Sequence, residues 1–267
     1  MNANSQRYGI GRPEDLDSFV PWEAKLKSHD FLEVAVTYGL VLLAVWTPTR
    51  LQVWLGWMIL AWVFAATAAS AHDARTLGFR PSRPWRSLWV VGIAMLAAGL
   101  AIWISAQIHT LHPLPIGMHE VARTWRYFLW AFVQQFLMQD FFLLRLLRLL
   151  PSKTAAVIAT TMLFASAHLP NPLLVMVTLL WGAAACALFL RYRDLYSLGI
   201  AHGILGICLA VTVPNALHHG MRVGLGYLRY HEHLAPLHRS QSNHIVSTDA
   251  WVIADATRRW PSFQALP

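Results

Sequence analysis

The sequence predicts an all-α, polytopic transmembrane helix bundle of about seven spans. Three observations carry that prediction: 56% of the 267 residues are hydrophobic and only 13% are charged; the apolar residues fall into blocks close to the ~20 residues that cross a bilayer at about 1.5 Å each; and several of the 13 Trp, among them Trp46, Trp85 and Trp130, sit near block ends, where indole rings favour the headgroup boundary.

Residues 1–30 are polar and mixed in charge, a short cytoplasmic arm. The apolar blocks then place spans at 31–46, 51–70, 88–108, 128–150, 154–168, 172–190 and 195–213, the first and fifth of them short. Connections are brief and bounded by Pro48, Pro151, Pro170 and Pro172, residues that end one helix and allow an immediate return. Residues 31–213 therefore form one transmembrane domain. Beyond Pro214 the composition turns to His, Gly and polar residues, and residues 214–267 read as a polar, His-rich surface tail. No repeat of fixed period and no low-complexity tract interrupts this plan.

Charge placement orients the bundle. The formal charge is +8, but the basic residues lie between apolar blocks instead of forming an aromatic-interleaved stripe, which excludes a nucleic-acid partner and makes the lipid bilayer the partner of that charge. Arg7, Arg12, Lys25 and Lys27, then Arg75, Arg80, Arg83 and Arg86, then Arg148 and Lys153, then Arg191 and Arg193 share one side, and Arg50, Arg123 and Arg126 face the other. The positive-inside rule puts the N-terminus in the cytoplasm of a cell, expected to be bacterial, whose inner membrane holds the chain. The acidic Glu14, Asp15 and Asp17, with no early apolar run, argue against a cleaved signal peptide. Cys186 and Cys208 lie in separate apolar blocks, so the pattern offers neither a disulfide framework nor a CxxC metal site.

Ionisable groups inside spans cost about 2.5–3.5 kcal/mol each on insertion scales, which makes them functional candidates. Asp140 and Arg145 lie on the fourth span in QQFLMQDFFLLRLLRLL, His168 ends the fifth in FASAHLPNP, and His202 lies in the seventh in LYSLGIAHGILG. Helix rise places all three of Asp140, His168 and His202 in the middle or cytoplasmic half of the bilayer, so that one carboxylate and two imidazoles could share a wet pocket. There the carboxylate would deprotonate water while the imidazoles position it and stabilise the oxyanion. An ionised Asp140 in that setting needs a compensating His or Arg. Arg145 is off the Asp140 face, and it either reaches the cytoplasmic headgroups or bonds a neighbouring helix. Glu33 either faces the bundle or sits at the interface. His218, His219, His231 and His233, like His109, His112 and His119, lack metal-site spacing and read as solvated segments. A haem or metal held axially by His168 and His202 is a further possibility.

These residues resemble the CPBP (CAAX protease and bacteriocin-processing, Abi) family of intramembrane proteases, relatives of the type II CAAX prenyl endopeptidase. Asp140 to Arg145 stands where that family has EExxxR, Phe164 to His168 matches FxxxH, and His202 opens HxxxN, over a core of about residues 125–213. The resemblance implies a hydrolase that cleaves hydrophobic or lipidated peptides within the membrane, with Asp140, His168 and His202 catalytic, Arg145, Phe164, Gln139 and Gln135 supporting, and no cofactor, although a divalent metal such as zinc is compatible with it. The departures are specific. Asp140 is one methylene shorter than Glu, Phe141 replaces the second Glu, Leu146 follows Arg145 in place of Gly, and Gly206 stands where Asn or Asp belongs. Gln135 and Gln139, four residues apart on one face, offer replacement hydrogen bonds, but an amide is no general base. A catalytically degenerate scaffold or peptide-binding protein of the same fold is the alternative expectation.

Overall fold

The computed structural model describes residues 20–70, 73–81, 84–112 and 118–230. Among these the chain is helical, with no strand. The elements are α1 (Val20–Val45), α2 (Thr49–Ala69), a 3-10 turn (Pro84–Arg86), α3 (Leu88–Gln107), α4 (Met118–Phe136), a π-helical segment (Leu137–Leu143), α5 (Leu144–Leu149), α6 (Lys153–Ser166), α7 (Pro172–Tyr192), α8 (Leu195–Thr212), α9 (Asn215–His218) and a 3-10 turn (His219–Met221), followed by a helical stretch over 224–230.

Local chemistry sets the helix starts. Ser152 accepts the Ala155 N–H at 3.1 Å at the head of α6. Asn171 accepts the Leu174 N–H at 3.2 Å ahead of Pro172 in α7, and Asp194 accepts the N–H groups of Tyr196 and Ser197 in α8. Each places a short polar side chain where the first helical N–H groups lack partners.

Five helical stretches, at Ser28–Val45, Leu51–Ala69, Pro84–Gln107, Pro172–Tyr192 and Leu195–Thr212, are long and apolar enough to cross a membrane. The bonding of helix ends accounts for the remaining two crossings, α4 through α5 and the 14-residue α6. At one end, the Leu195 N–H donates to the Gly78 carbonyl at 3.2 Å, Arg145 reaches Ser70, and Arg148 pairs with Asp30, so the loops after α2, α5 and α7 lie together. At the other end, the His112 N–H donates to the Val211 carbonyl at 2.8 Å, and the Gly224 N–H to the Leu169 carbonyl at 2.8 Å. Seven crossings of alternating direction satisfy both sets.

Three boundaries differ from the sequence expectation, one of them the start of α4 at Met118, ten residues before 128. Helix α1 begins at Val20, not near Phe31, because polar side chains do not end a helix that lacks a breaker. Past Pro214 the described chain packs on the bundle: Asn171 Nδ2 donates to the carbonyls of His218 at 2.8 Å and Arg222 at 3.1 Å. These bonds fold the first part of the expected tail back over the bundle. Residues 1–19 and 231–267, including His231 and His233, lie outside the described residues, as do the side chains of His119 and Arg123.

The bundle is inverted relative to a soluble core. Trp54, Trp57, Met58, Ile93, Met95, Leu96, Leu100 and Leu180 are exposed, while Gln135, Gln139, Asp140, Arg145 and Asn171 are buried. That distribution suits lipid outside and polar groups within. Helix α8 lies innermost, flanked by α3 and α4. Its Gly199 and Gly203 admit the rings of Phe132 and Phe128, whose atoms would lie 2.5 and 2.4 Å from an added Cβ, so small residues let the backbones of α4 and α8 approach.

Candidate functional site

The fourth crossing carries the polar residues because it is covered on all sides: Met138 through Leu146 are buried without interruption. Within it the α-helix relaxes to a π-helix over Leu137–Leu143. Its i→i+5 bonding widens the turn around Gln139 and Asp140, a geometry frequent at functional sites.

A relay of side chains leads from this segment to α8. Gln139 Nε2 donates to Gln135 Oε1 at 3.3 Å, which orients the Gln135 amide with its Nε2 towards His202 Nδ1, 2.9 Å away. The amide donates, so His202 Nδ1 accepts and the ring proton is assigned to Nε2. His168 has the opposite arrangement. Its Nδ1 lies 2.7 Å from the Phe164 carbonyl, an acceptor only, so Nδ1 carries the proton and Nε2 holds a lone pair. Phe164 packs edge-on to both rings, with centroids 5.0 Å from His168 and 6.1 Å from His202, and Trp181 flanks His202 at 5.9 Å. The FxxxH pair thus acts as one unit: the phenyl ring separates and aligns the two imidazoles while its own backbone fixes a tautomer.

Asp140 is fully buried, and neither carboxyl oxygen has a hydrogen-bond partner. It bonds neither imidazole. The cationic residue that acts on it is Arg193, at the α7–α8 turn. Trp181 Nε1 is likewise buried without a partner, while beyond the Gln139–Gln135 bond Gln139 and Thr161 have only the weak thiol of buried Cys186. The unpaired polar atoms of Asp140 on the π segment and Trp181 on α7 each call for a polar occupant, because leaving such groups unpaired costs about 1–3 kcal/mol each.

Arg145 is turned away from this region. Its Nε donates to Glu33 Oε2 at 2.5 Å, Nη1 to the Phe141 carbonyl at 3.3 Å and Nη2 to Ser70 Oγ at 3.3 Å, and the guanidinium carbon lies 3.8 Å from the Phe141 ring centroid. Of the two placements open to Arg145 the structure adopts the bond to a neighbouring helix, and Glu33 faces the bundle. Phe141, standing where the second Glu of the motif belongs, stacks on the guanidinium, and Glu33 on α1 brings the carboxylate. Nearby, Arg148 grips Asp30 through Nε at 2.7 Å and Nη2 at 2.6 Å. His29, Asp30 and Glu33 offer ligand atoms within 4.8 Å of one another, yet both carboxylates are already neutralised by arginine. At the imidazole pair, only His168 Nε2 presents a lone pair, against the three protein ligands usual for catalytic zinc.

Gly206 has a structural reason. A Cβ there would fall 1.8 Å from Tyr127 Oη. The phenol of α4 occupies the space into which a side chain at the fourth position of HxxxN would project. The sequence did not single out Tyr127, Trp181 or Thr161, and it marked Arg193 only as an orienting charge; a residue 79 positions away in the chain, as Tyr127 is from Gly206, leaves no local signal. No curated protein and no solved structure matches the chain. Residues 121–208, about a third of the chain, match the family model described as Type II CAAX prenyl endopeptidase Rce1-like, which agrees with the CPBP resemblance of the motifs and takes in Asp140, Phe164, His168, His202 and Gly206.

Proposed function

We propose that this chain is an intramembrane endopeptidase of the CPBP type, resident in a cell membrane with its N-terminus in the cytoplasm, that hydrolyses a hydrophobic or lipidated peptide. The observation that supports it is the pairing of two neutral imidazoles with opposite proton polarity, together with a buried carboxyl, both oxygens unpaired, on the same crossing as the Gln135 that bonds His202. Asp140 is the general base that draws a proton from water. His168 Nε2 accepts a hydrogen bond from that water, and His202 Nε2–H donates to the oxyanion that forms as water adds to the scissile carbonyl. Gln135 holds the His202 tautomer that makes this donation available. Tyr127 Oη takes the place of the side chain absent at Gly206.

Peptides of membrane fractions from cells making the parent or the Asp140→Ala protein test this reading. A precursor that accumulates only with the variant, at equal protein levels, supports it and names the substrate; identical peptide profiles reject it.

A second reading keeps the fold as a peptide-binding scaffold without hydrolysis. The absence of a hydrogen bond from Asp140 to either imidazole favours it. Asp140→Asn separates the two, since a scaffold retains function with the isosteric amide and a hydrolase does not.

A further inference from the structure

A second polar site lies at the Arg-rich end, apart from the imidazoles. A cavity of about 250 Å³ is lined by Arg75, Thr76, Arg80, Pro81 and Arg193, and no carboxylate is among its described lining residues. The loop that forms it is built, with the N–H groups of Phe79 and Arg80 both donating to the Ala74 carbonyl, at 2.9 and 3.0 Å. Gly78, at φ 72°, lies so close to Phe189 and the Leu195 backbone that a Cβ would meet them at 2.9 and 3.0 Å. Arg193 is fixed from the other side: its residue is in the left-handed region at φ 49°, its Nη1 donates to the Thr76 carbonyl at 3.2 Å, and its guanidinium carbon lies 5.1 Å from the Phe189 ring.

The nearby acids are committed elsewhere. Asp73 Oδ1 accepts the Thr76 N–H at 2.9 Å. Asp194 is buried and accepts the Ser87 and Ser197 hydroxyls in addition to its helix N–H groups. Among the described residues Arg75 and Arg80 have no ion pair, and Asp140, the acidic residue that acts on Arg193, is not among the residues lining the cavity. The cavity therefore holds a surplus of guanidinium donors, a fork geometry that suits phosphate oxygens.

The elements around the cavity point to a position at the membrane interface. Helices α2, α3, α7 and α8 all begin or end beside it. Trp85 and Trp89, 66% and 47% exposed, stand at the same level, with Trp89 edge-on to Tyr192 at 6.2 Å, as in the aromatic belt of a membrane interface. The volume is below the ~300–1,000 Å³ of ordinary small-molecule clefts and suits a headgroup. We propose that the Arg75, Arg80 and Arg193 cavity binds the phosphate of an anionic phospholipid headgroup. Arg75 and Arg80 separate the site from the peptidase reading, because neither acts on Asp140 or the imidazoles, whereas Arg193 also acts on Asp140.

The test follows the melting temperature of the full chain, purified in a non-ionic detergent, with phosphatidylglycerol, phosphatidylcholine or inorganic phosphate added at matched concentration. Phosphatidylglycerol at saturation is expected to raise the parent's midpoint by about 5 °C, and phosphatidylcholine and inorganic phosphate by much less. The double variant Arg75→Gln/Arg80→Gln is expected to lose most of that gain while melting like the parent without lipid. Arg80→Gln alone loses about half, which provides the reading if the double variant is unstable. Arg126→Gln, an exposed cation from the opposite group, keeps the gain. An undiminished gain in the double variant, an equal loss in Arg126→Gln, or an equal gain from phosphatidylcholine overturns the proposal. A full gain from inorganic phosphate alone moves the site to the free anion and overturns the lipid source.

Discussion

Gln135 Nε2 stands 2.9 Å from His202 Nδ1, joining α4 to α8 through two buried side chains. The bond selects the tautomer of His202, because an amide N–H can meet Nδ1 only when that nitrogen is unprotonated. Replacing Gln135 with Leu removes the selection and leaves the ring free to rotate or to shift its proton. Peptide cleavage by Gln135→Leu is expected to fall about 3- to 10-fold, the rate equivalent of one hydrogen bond worth about 0.5–1.5 kcal/mol, with the protein level unchanged. Parent-like cleavage would remove Gln135 from the site.

Asp140→Asn keeps the volume and removes the base. Under the hydrolase reading its cleavage rate drops by about 10²- to 10⁴-fold, the range for loss of a general base. Asp140→Glu, which restores the longer side chain of the related motif, retains measurable cleavage. Quantifying product from a membrane peptide isolated with the parent distinguishes the three proteins, and equal rates for parent and Asp140→Asn would leave the scaffold reading.

The Arg145–Glu33 pair crosses from α5 to α1 in a buried setting. Removing one partner strands the other charge, and Glu33→Ala is expected to cost about 3–5 kcal/mol. In the double variant Glu33→Ala/Arg145→Met no charge is stranded, so part of the stability returns. Thermal melting of the purified proteins measures both, and a double variant no more stable than Glu33→Ala would contradict the pairing.

Gly206→Ala brings a Cβ to within 1.8 Å of Tyr127 Oη unless the ring moves. Overpacking of this kind costs about 1–3 kcal/mol. Combining Gly206→Asn with Tyr127→Ala exchanges the two volumes and is expected to fold better than Gly206→Asn alone, which expression level and melting temperature report.

His218, the last residue of α9, is buried, and burial holds its imidazole below the ordinary His value, with His112 and His219 acting in the same direction. Its Nδ1 accepts the Met221 N–H at 3.2 Å, a bond that requires the neutral ring. A folded pKa below the unfolded one means full stability above about pH 6.5 and loss as the pH falls towards the folded value. Between pH 7.5 and 5 the parent's melting temperature should decline, and the decline should be smaller in His218→Asn.

Composition and block length determined the fold class, because a chain in lipid must satisfy every backbone group within its own helices and must present apolar side chains outward. The sequence likewise made Asp140, Arg145, His168 and His202 conspicuous, since charged or titratable groups in apolar runs are expensive. It did not reveal that α1 starts at Val20, for the residues before Phe31 lack the apolar signature while still forming helix. Gln135 was legible as a helper through its spacing from Gln139, but its hydrogen bond to His202 spans 67 positions. The same separation problem hid Glu33 as the partner of Arg145 and Tyr127 as the occupant of the Gly206 space. Local spacing decides which side chains share a helix face; only the packing of α1, α4 and α8 against one another decides which faces meet. Partner choice for each buried polar group was therefore settled by tertiary structure, where distance through space replaces distance along the chain.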